Sequence, residues 1–310
     1  MQRIHRNRIR NNLLGLDCDG QVVLAQVRFE QGTAHTVQTA AMHPSSLLAP
    51  GAERLPEPLR GYAYALSETV ERWRVRGQPV VLSVPSPGVA VRSVSMPRTK
   101  NRRILHTLVG REIEGRLALG GISPLWDYYP AGGDGDTVIV AAPRDAVTGW
   151  VDLARAAGLR PLAVEPSAMA AWRCVRRQCA DVAPDAGIMV VLGPRTILVA
   201  SVRGGVIRAV VQAERAWEAE RPLAYAAEAA AEVVRMLSFL RGREGAARVE
   251  GDRAVVFDLV GAGAGVRDQL SAQTGLSVVG CLQGGESEAE PAAGDGLAGV
   301  AVGLALWQTE

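Results

Sequence analysis

The stretch TVIVAAPRDAVTGWVDLARAAGLRPLAVEPSAMAAW, residues 137–172, decides the fold class. It begins with the apolar run 137–142, whose β-branched content is typical of a strand buried on both faces. Apolar residues at helical spacing follow, and Gly158 stands where a left-handed C-terminal cap is expected. Residues 162–164 then predict a second strand, and Pro166 is placed to open another helix. The stretch therefore predicts a β-α-β-α unit of an α/β protein.

Two similar series of short strands lie on either side of this unit. Residues 13–42 alternate strand-like runs with Asp-Gly and Gln-Gly turns, and residues 187–212 repeat the plan. Helix–strand pairs follow each series, and residues from about 89 to 136 interrupt the first half as an insertion. We therefore expect a duplicated α/β fold of the actin, sugar-kinase and chaperone-ATPase class, with a first domain at 13–165 and a second at 166–310.

The composition argues against several classes of function. A net charge of +2 provides no general basic field for nucleic acid. The four cysteines form no Cys-x-x-Cys pair, and the four histidines show no metal-binding spacing. No apolar run approaches the ~20 residues that span a bilayer, and the basic start lacks an apolar signal core. We expect a cytoplasmic protein with no transmembrane segment of its own and no metal ligands.

Two polar segments are expected to lie outside the packed core. Residues 1–12 are basic and predict a solvated tail, with contact to anionic lipid or a partner as the alternative. Residues 283–296 are acidic and rich in glycine, which predicts a mobile loop in the second domain.

Several stretches resemble PilM, the cytoplasmic actin-like protein of type IV pilus assembly, which is itself similar to the division protein FtsA. They are LLGLDCDGQVVLAQVR at 13–28, VIVAAPRDAVTGWVDLARAAGLRPLAVEPSAMA at 138–170, the strand-turn-strand at 199–207, EVVRMLSFLRGR at 232–243 and GLAGVAVGLALW at 296–307. The resemblance implies an actin-like, ribonuclease H-like fold with two cleft domains and a small subdomain inserted in the first. It also implies a scaffold that docks on the cytoplasmic tail of an inner-membrane protein, PilN in that family, and contacts other pilus-machine components.

The resemblance further implies a nucleotide cleft, whose motifs are only partly kept. Each phosphate hairpin of an actin-like ATPase needs an Asp for the Mg²⁺ shell, with Gly and Ser or Thr donors for the phosphates. The first hairpin keeps Asp17 and Gly20 but lacks the hydroxyl donors. The second keeps Gly193, but Val191 stands where the family has its acid, and Pro194 lacks a backbone donor.

The other cleft motifs each admit a structural alternative. Glu165 resembles the acid that positions the attacking water in the wider actin class, and a helix-start carboxylate is the alternative. Gly261, Gly263 and Gly265 resemble the adenosine turn, and a tightly packed helix start explains them equally well. Glu232 faces that turn in the family, whereas a solvated helix face is the alternative. We therefore expect a scaffold without ATP turnover, the alternative being an active ATPase that binds ATP and Mg²⁺ between the domains. No motif supports an unrelated α/β enzyme.

A cluster of arginines marks the expected partner surface. In the resembling family an extended partner peptide lies in a groove between the inserted subdomain and the first cleft domain. The corresponding region here carries Arg92, Arg98, Arg102, Arg103 and Arg111. Such a cluster can capture acidic side chains and raise association rates. For any single arginine, a solubilising face on an amphipathic helix is the alternative.

Overall fold

The structure is a computed structural model, and it describes residues 12–18, 22–30, 33–47, 49, 52–84, 88–97, 99, 101–116, 123–131, 136–181, 186–217, 220–244, 253–282 and 299–307. Several predicted features lie outside these residues: Gly20, Arg98, the acidic loop 283–296 and, apart from Asn12, the basic tail. The other predicted site residues lie within the described ranges.

The first half of the chain forms a five-stranded sheet with helices on one face. Its elements are β1 Asn12–Asp17, β2 Val22–Glu30, β3 Thr33–Met42, the 3-10 helix Ala52–Arg54, α1 Glu57–Arg72, β4 Pro79–Val84, α3 Arg144–Ala156 and β8 Arg160–Pro166. The strand order is β3-β2-β1-β4-β8, with β1 to β3 as the predicted meander and β4 and β8 added in parallel. Leu16, Leu66 and Leu153 are fully buried where α1 and α3 cover the sheet. We call this unit the first lobe.

The second half repeats this plan. Its elements are β9 Ile188–Leu192, β10 Thr196–Arg203, β11 Val206–Glu214, α5 Pro222–Glu244, β12 Arg253–Asp258, α6 Gly263–Thr274 and β13 Ser277–Leu282. They form the order β13-β12-β9-β10-β11, in which β12 and β13 pair in parallel. Val190, Val233 and Val266 pack fully buried between this sheet and its two helices. We call this unit the second lobe, and the shared order establishes the predicted duplicated α/β architecture.

The inserted segment forms an antiparallel unit of three strands and one helix. These elements are β5 Ala90–Ser95, α2 Arg102–Arg116, β6 Pro124–Pro130 and β7 Asp136–Pro143. Strand β7 lies between β5 and β6, and Val109 and Ile113 of α2 pack on Ile139 of β7. The pairing of Arg92 in β5 with Ala209 in β11 extends the second sheet to eight strands.

Residues 137–172 form the predicted succession of strand, helix, strand and helix, but the two strands belong to different sheets. Strand β7 pairs antiparallel with β5 and β6 in the second sheet, whereas β8 pairs parallel with β4 in the first. The antiparallel unit therefore runs to Pro143 rather than ending near residue 136. Strand β7 packs between α2 on one face and the core around Val138 on the other. An apolar run buried on both faces looks the same in parallel and antiparallel sheets, so its periodicity could not distinguish them.

Two helices lie between the lobes. The helix α4, Ser167–Gln178, follows β8, and the short helix α7, Gly299–Ala305, comes near the end of the described chain. Both contact the first sheet and share one core cluster with residues of the second. The domain limit between residues 165 and 166 therefore remains a prediction. Within the described ranges, no helix combines the length and apolar character needed to cross a membrane.

Candidate functional site

A small cleft lies where β1 and β9 end, between the two lobes. Its walls include Asp17 of β1, Ser167 of α4, Gly193 and Thr196 of the β9–β10 hairpin, and Val300 of α7. The centre of a water molecule can occupy about 20 Å³ here, which is room for one or two waters. Of the residues predicted for a nucleotide cleft, the structure brings together Asp17 and Gly193. The remaining ones that it describes do not line this space.

Asp17 is held by a hydroxyl from the neighbouring strand. Parallel pairing places Leu16 beside Leu82, so the next residues, Asp17 and Ser83, meet at the same edge of the sheet. The Ser83 hydroxyl donates to Asp17 Oδ1 over 2.6 Å and accepts the Cys18 N–H over 2.8 Å. Both side chains are buried. Sequence reasoning missed Ser83, whose signal was a single hydroxyl in the apolar strand PVVLSV.

The residues of the β9–β10 hairpin that line the cleft include no carboxylate. Val191 is buried in the core shared with α4, and Gly193 closes the turn by donating its N–H to the Thr196 carbonyl over 2.9 Å. A Cβ on Gly193 would approach that same oxygen to 3.1 Å, which explains the glycine by close backbone approach. Thr196, which sequence reasoning passed over, contributes to the cleft wall. Trp217 donates its backbone N–H to the Pro194 carbonyl over 2.9 Å.

Glu165 is engaged by a buried arginine that sequence reasoning did not identify. Nη2 of Arg173 on α4 lies 2.8 Å and 2.6 Å from the two carboxylate oxygens of Glu165. The two side chains are only 7% and 12% exposed. Nη1 of Arg173 donates to the carbonyl of Gly303 on α7. Glu165 therefore belongs to a contact that joins β8, α4 and α7, because its carboxylate is turned into that contact rather than into the cleft.

The predicted glycine turn follows β12 and begins α6. Asp258 accepts the N–H groups of Val260 and Gly261, each over 3.0 Å, and Gly261 has a φ of +82°. A Cβ on Gly265 would lie 2.9 Å from the Cβ of Ala226, so this glycine allows α6 to pack closely on α5. Gly263 is the first residue of α6. These contacts match the tightly packed helix start that the sequence left as one of two explanations.

The helix α5 carries a charged face and a buried phenol beside this turn. Arg235 donates Nε–H to Glu232 over 3.1 Å, and this hydrogen bond is the main reason that the pKa of Glu232 lies below its usual value. Burial, with a further contribution from the charge of Asp258, raises the pKa of Tyr225 to about 12. Trp217 and Tyr225 meet edge to face with ring centroids 4.7 Å apart. An aromatic pair thus connects the second hairpin with the helix that packs on the glycine turn.

The structure separates the predicted arginine cluster. Arg92 is half-buried within the sheet, paired with Ala209 on one side and Ile139 on the other. Strand β5 thus has a neighbouring strand on each side, and contact between Arg92 and a partner stays a prediction. Arg102, Arg103 and Arg111 are exposed along α2, and none of the three forms an ion pair within the described part of the chain.

An aromatic stack lies beside these arginines. His106 of α2 contacts Trp126 of β6 with ring centroids 4.4 Å apart, and Trp126 stacks on Tyr128 at 6.4 Å. The Tyr128 hydroxyl donates to the Arg102 carbonyl over 3.4 Å, which ties β6 to the start of α2. Asn101 caps this helix by accepting the Arg103 N–H over 2.9 Å. The exposed arginines therefore project from a helix whose beginning is anchored.

The chain is similar to known proteins in its structure. No protein-family model matches the chain, and no curated protein matches it. A chain of the solved PilM-PilN type IV pilus biogenesis complex is similar to it with a TM-score of 0.67 and 16% sequence identity. That match covers 98% of this chain and 99% of the other. The chain thus has the actin-like fold, with two lobes and an inserted subdomain, that the sequence predicted.

Two further solved structures are more distantly similar. The cytoplasmic domain of EpsL, an inner membrane component of the type II secretion system of Vibrio cholerae, matches with 13% identity and a TM-score of 0.48. The match covers 80% of this chain and 82% of that one. The ethanolamine utilization protein EutJ from Carboxydothermus hydrogenoformans matches with 12% identity and a TM-score of 0.49, covering 96% and 90%.

Proposed function

We propose that this chain is a PilM-like scaffold of a type IV pilus or of a related secretion or competence machine. In this role it lies at the inner face of the cytoplasmic membrane and docks on the cytoplasmic tail of a PilN-like bitopic membrane protein. The observation that carries the proposal is the likeness, along nearly the whole of both chains, to a chain of the PilM-PilN complex. That likeness concerns the fold, and the role and the partner are our inference from it.

The cleft residues support a scaffold rather than an ATPase. A Mg²⁺-bound nucleotide would need acidic and hydroxyl groups from both hairpins. The second hairpin contributes Thr196 to the cleft wall but has the apolar side chain of Val191 where an acid is needed. Asp17 is engaged by Ser83, and Glu165 is engaged by Arg173. No group of three or more His, Cys, Asp or Glu side chains within the described ranges is placed to hold a metal ion. The residues present do not fit the nucleotide, and an active ATPase remains the alternative.

The exposed arginines of α2 support a docking surface for an acidic segment of the partner. Arg102, Arg103 and Arg111 lie on one helix of the inserted subdomain and have no acidic partners among the described residues. Their charge is therefore available to attract a tail that carries carboxylates and to orient it during encounter. Arg92 contributes less to this surface because it is half-buried in the sheet.

A titration of a fluorescent peptide with the sequence of the bitopic partner's cytoplasmic tail tests the proposal. We expect binding that weakens as salt is added, and a loss of about five- to twentyfold in affinity when Arg102→Glu and Arg103→Glu are combined. The matched control combines Arg144→Glu and Arg241→Glu, which make the same charge change at exposed positions on α3 and α5. Equal losses in both double variants would contradict the surface, and no binding by the unchanged protein would contradict the docking role.

A further inference from the structure

One buried charge joins the first lobe to the two helices that lie between the lobes. The Arg173 guanidinium bonds to Glu165 at the end of β8 through Nη2 and to the Gly303 carbonyl through Nη1. Its side chain is 7% exposed. Burying an arginine is unfavourable unless its charge is compensated and its donors are bonded. The second of these bonds requires α7 to be in place, so the position of α7 and the burial of Arg173 depend on each other.

Two glycines allow α7 to enter this position. A Cβ on Gly15 of β1 would lie 1.9 Å from the Ala301 carbonyl oxygen, and a Cβ on Gly303 would lie 2.0 Å from the Ala170 carbonyl oxygen. Real Cβ atoms do not approach backbone so closely, so α7 is in backbone contact with β1 on one side and with α4 on the other. Leu304, fully buried, packs in the core cluster that contains α4 and the cleft side of the second sheet.

In an actin-like fold with a filled cleft, a ligand bound between the lobes contributes contacts to each of them. The hairpin residues here do not fit such a ligand, because Val191 stands where an acid is needed. The lobes nevertheless share a continuous core through α4 and α7, and their junction contains a charge pair at 2.6 Å. Contacts within the chain thus hold the two lobes in one arrangement at their junction.

We infer that Arg173 is a positioning residue that seats α7 between the lobes and holds them together without a nucleotide. This rests on the proposed scaffold function, for which a fixed arrangement of the lobes is useful because the docking surface belongs to a subdomain joined to both. Strand β5 pairs with β11 of the second lobe, and α3 leads from β7 back to the first. Opening of the lobes would therefore strain the subdomain that carries α2.

Hydrogen exchange of the whole chain tests the inference. In Arg173→Met, amides of α7 and of β1 around Gly15 should exchange about tenfold faster or more, while those of β9 and β10 keep their protection. Glu165→Gln, which keeps the volume and one acceptor, should give a smaller increase at the same amides, about threefold. The control Arg155→Met removes an arginine from an exposed pair with Asp152 and should leave α7 unchanged. Mg²⁺ and ATP should alter exchange at α7 in none of these proteins.

Three results would overturn the inference. One is unchanged protection of α7 in Arg173→Met, or in Glu165→Gln if the first variant does not fold. Another is a uniform loss of protection across both sheets, because a general loss of stability would then explain the effect. The third is protection of α7 by Mg²⁺ and ATP in the unchanged protein. If the unchanged protein does not bind the tail peptide while the variants show the expected faster exchange at α7, the proposed docking function is contradicted and the role of Arg173 stands.

Discussion

The two lobes share a strand order but place their buried carboxylates on different strands. In the first lobe the carboxylate is Asp17 at the end of β1, and it meets the hydroxyl of Ser83 on β4. In the second lobe β9 ends in Leu192, and the buried carboxylate is Asp258 at the end of β12. Asp258 organises the backbone of its own turn. The two sheets therefore have equivalent edges, but the buried carboxylate bonds to a neighbouring strand in the first lobe and to its own turn in the second.

The largest expected difference between the two lobes is the loss of stability when a glycine is replaced by alanine. Gly15→Ala puts a methyl group 1.9 Å from the backbone of α7, and we expect it to lower the free energy of unfolding by about 3 kcal/mol or more. Gly193→Ala meets the Thr196 carbonyl at 3.1 Å and should cost about 1 kcal/mol. Urea unfolding measures both. The control Gly242→Ala adds a methyl to open space on α5 and should stabilise by up to about 1 kcal/mol. Similar costs at Gly15 and Gly193 would contradict the close seating of α7.

Part of the loss of stability at alkaline pH should come from Tyr225 in the second lobe. Its pKa rises from 10.0 to about 12 in the folded protein, mainly through burial. Between these values the unfolded chain loses the phenolic proton and the folded protein keeps it, so stability falls as pH rises. The expected loss is about 2–3 kcal/mol.

The substitution Tyr225→Phe isolates this effect. It should remove the corresponding part of the alkaline fall in stability. At neutral pH it should cost little, because the Tyr225 hydroxyl makes no hydrogen bond within the described residues. A fall of the same size in Tyr225→Phe, measured by thermal unfolding across this pH range, would assign the alkaline effect to other groups.

Substitutions of the two carboxylates should lower the free energy of unfolding by modestly different amounts, and they should not change the rate of ATP hydrolysis. Asp258→Ala removes the acceptor of two N–H groups in a left-handed turn and should cost about 1–3 kcal/mol. Asp17→Asn keeps an acceptor for the Ser83 hydroxyl and should cost about 1 kcal/mol. We expect phosphate release from ATP with Mg²⁺ to remain at background in the unchanged protein and in Asp17→Asn. A Mg²⁺-dependent rate that Asp17→Asn abolishes would favour the ATPase alternative.

The spacing of apolar and turn residues predicted most of the strands and helices, because these elements depend on residues that are close together in the sequence. The two predicted series of short strands became β1 to β3 and β9 to β11. The stretch 296–307, which carries part of the resemblance, contains the short helix α7. Strand β7 was predicted as a strand, but the sequence did not show which sheet it joins. Partner choice depends on which edge is available in three dimensions, and a single run of residues carries no such information.

In the candidate site, too, some properties follow from the residue types alone and others only from tertiary contacts. Sequence alone determined that Val191 cannot replace an acid and that Pro194 cannot donate a backbone hydrogen bond, since these are properties of the residue types. Only the tertiary structure decided that Asp17 meets Ser83, that Glu165 faces Arg173, and that Gly15 and Gly303 admit α7. The physical reason is that chemical capability resides in a side chain, whereas a buried charge or a close backbone approach depends on atoms far away along the chain.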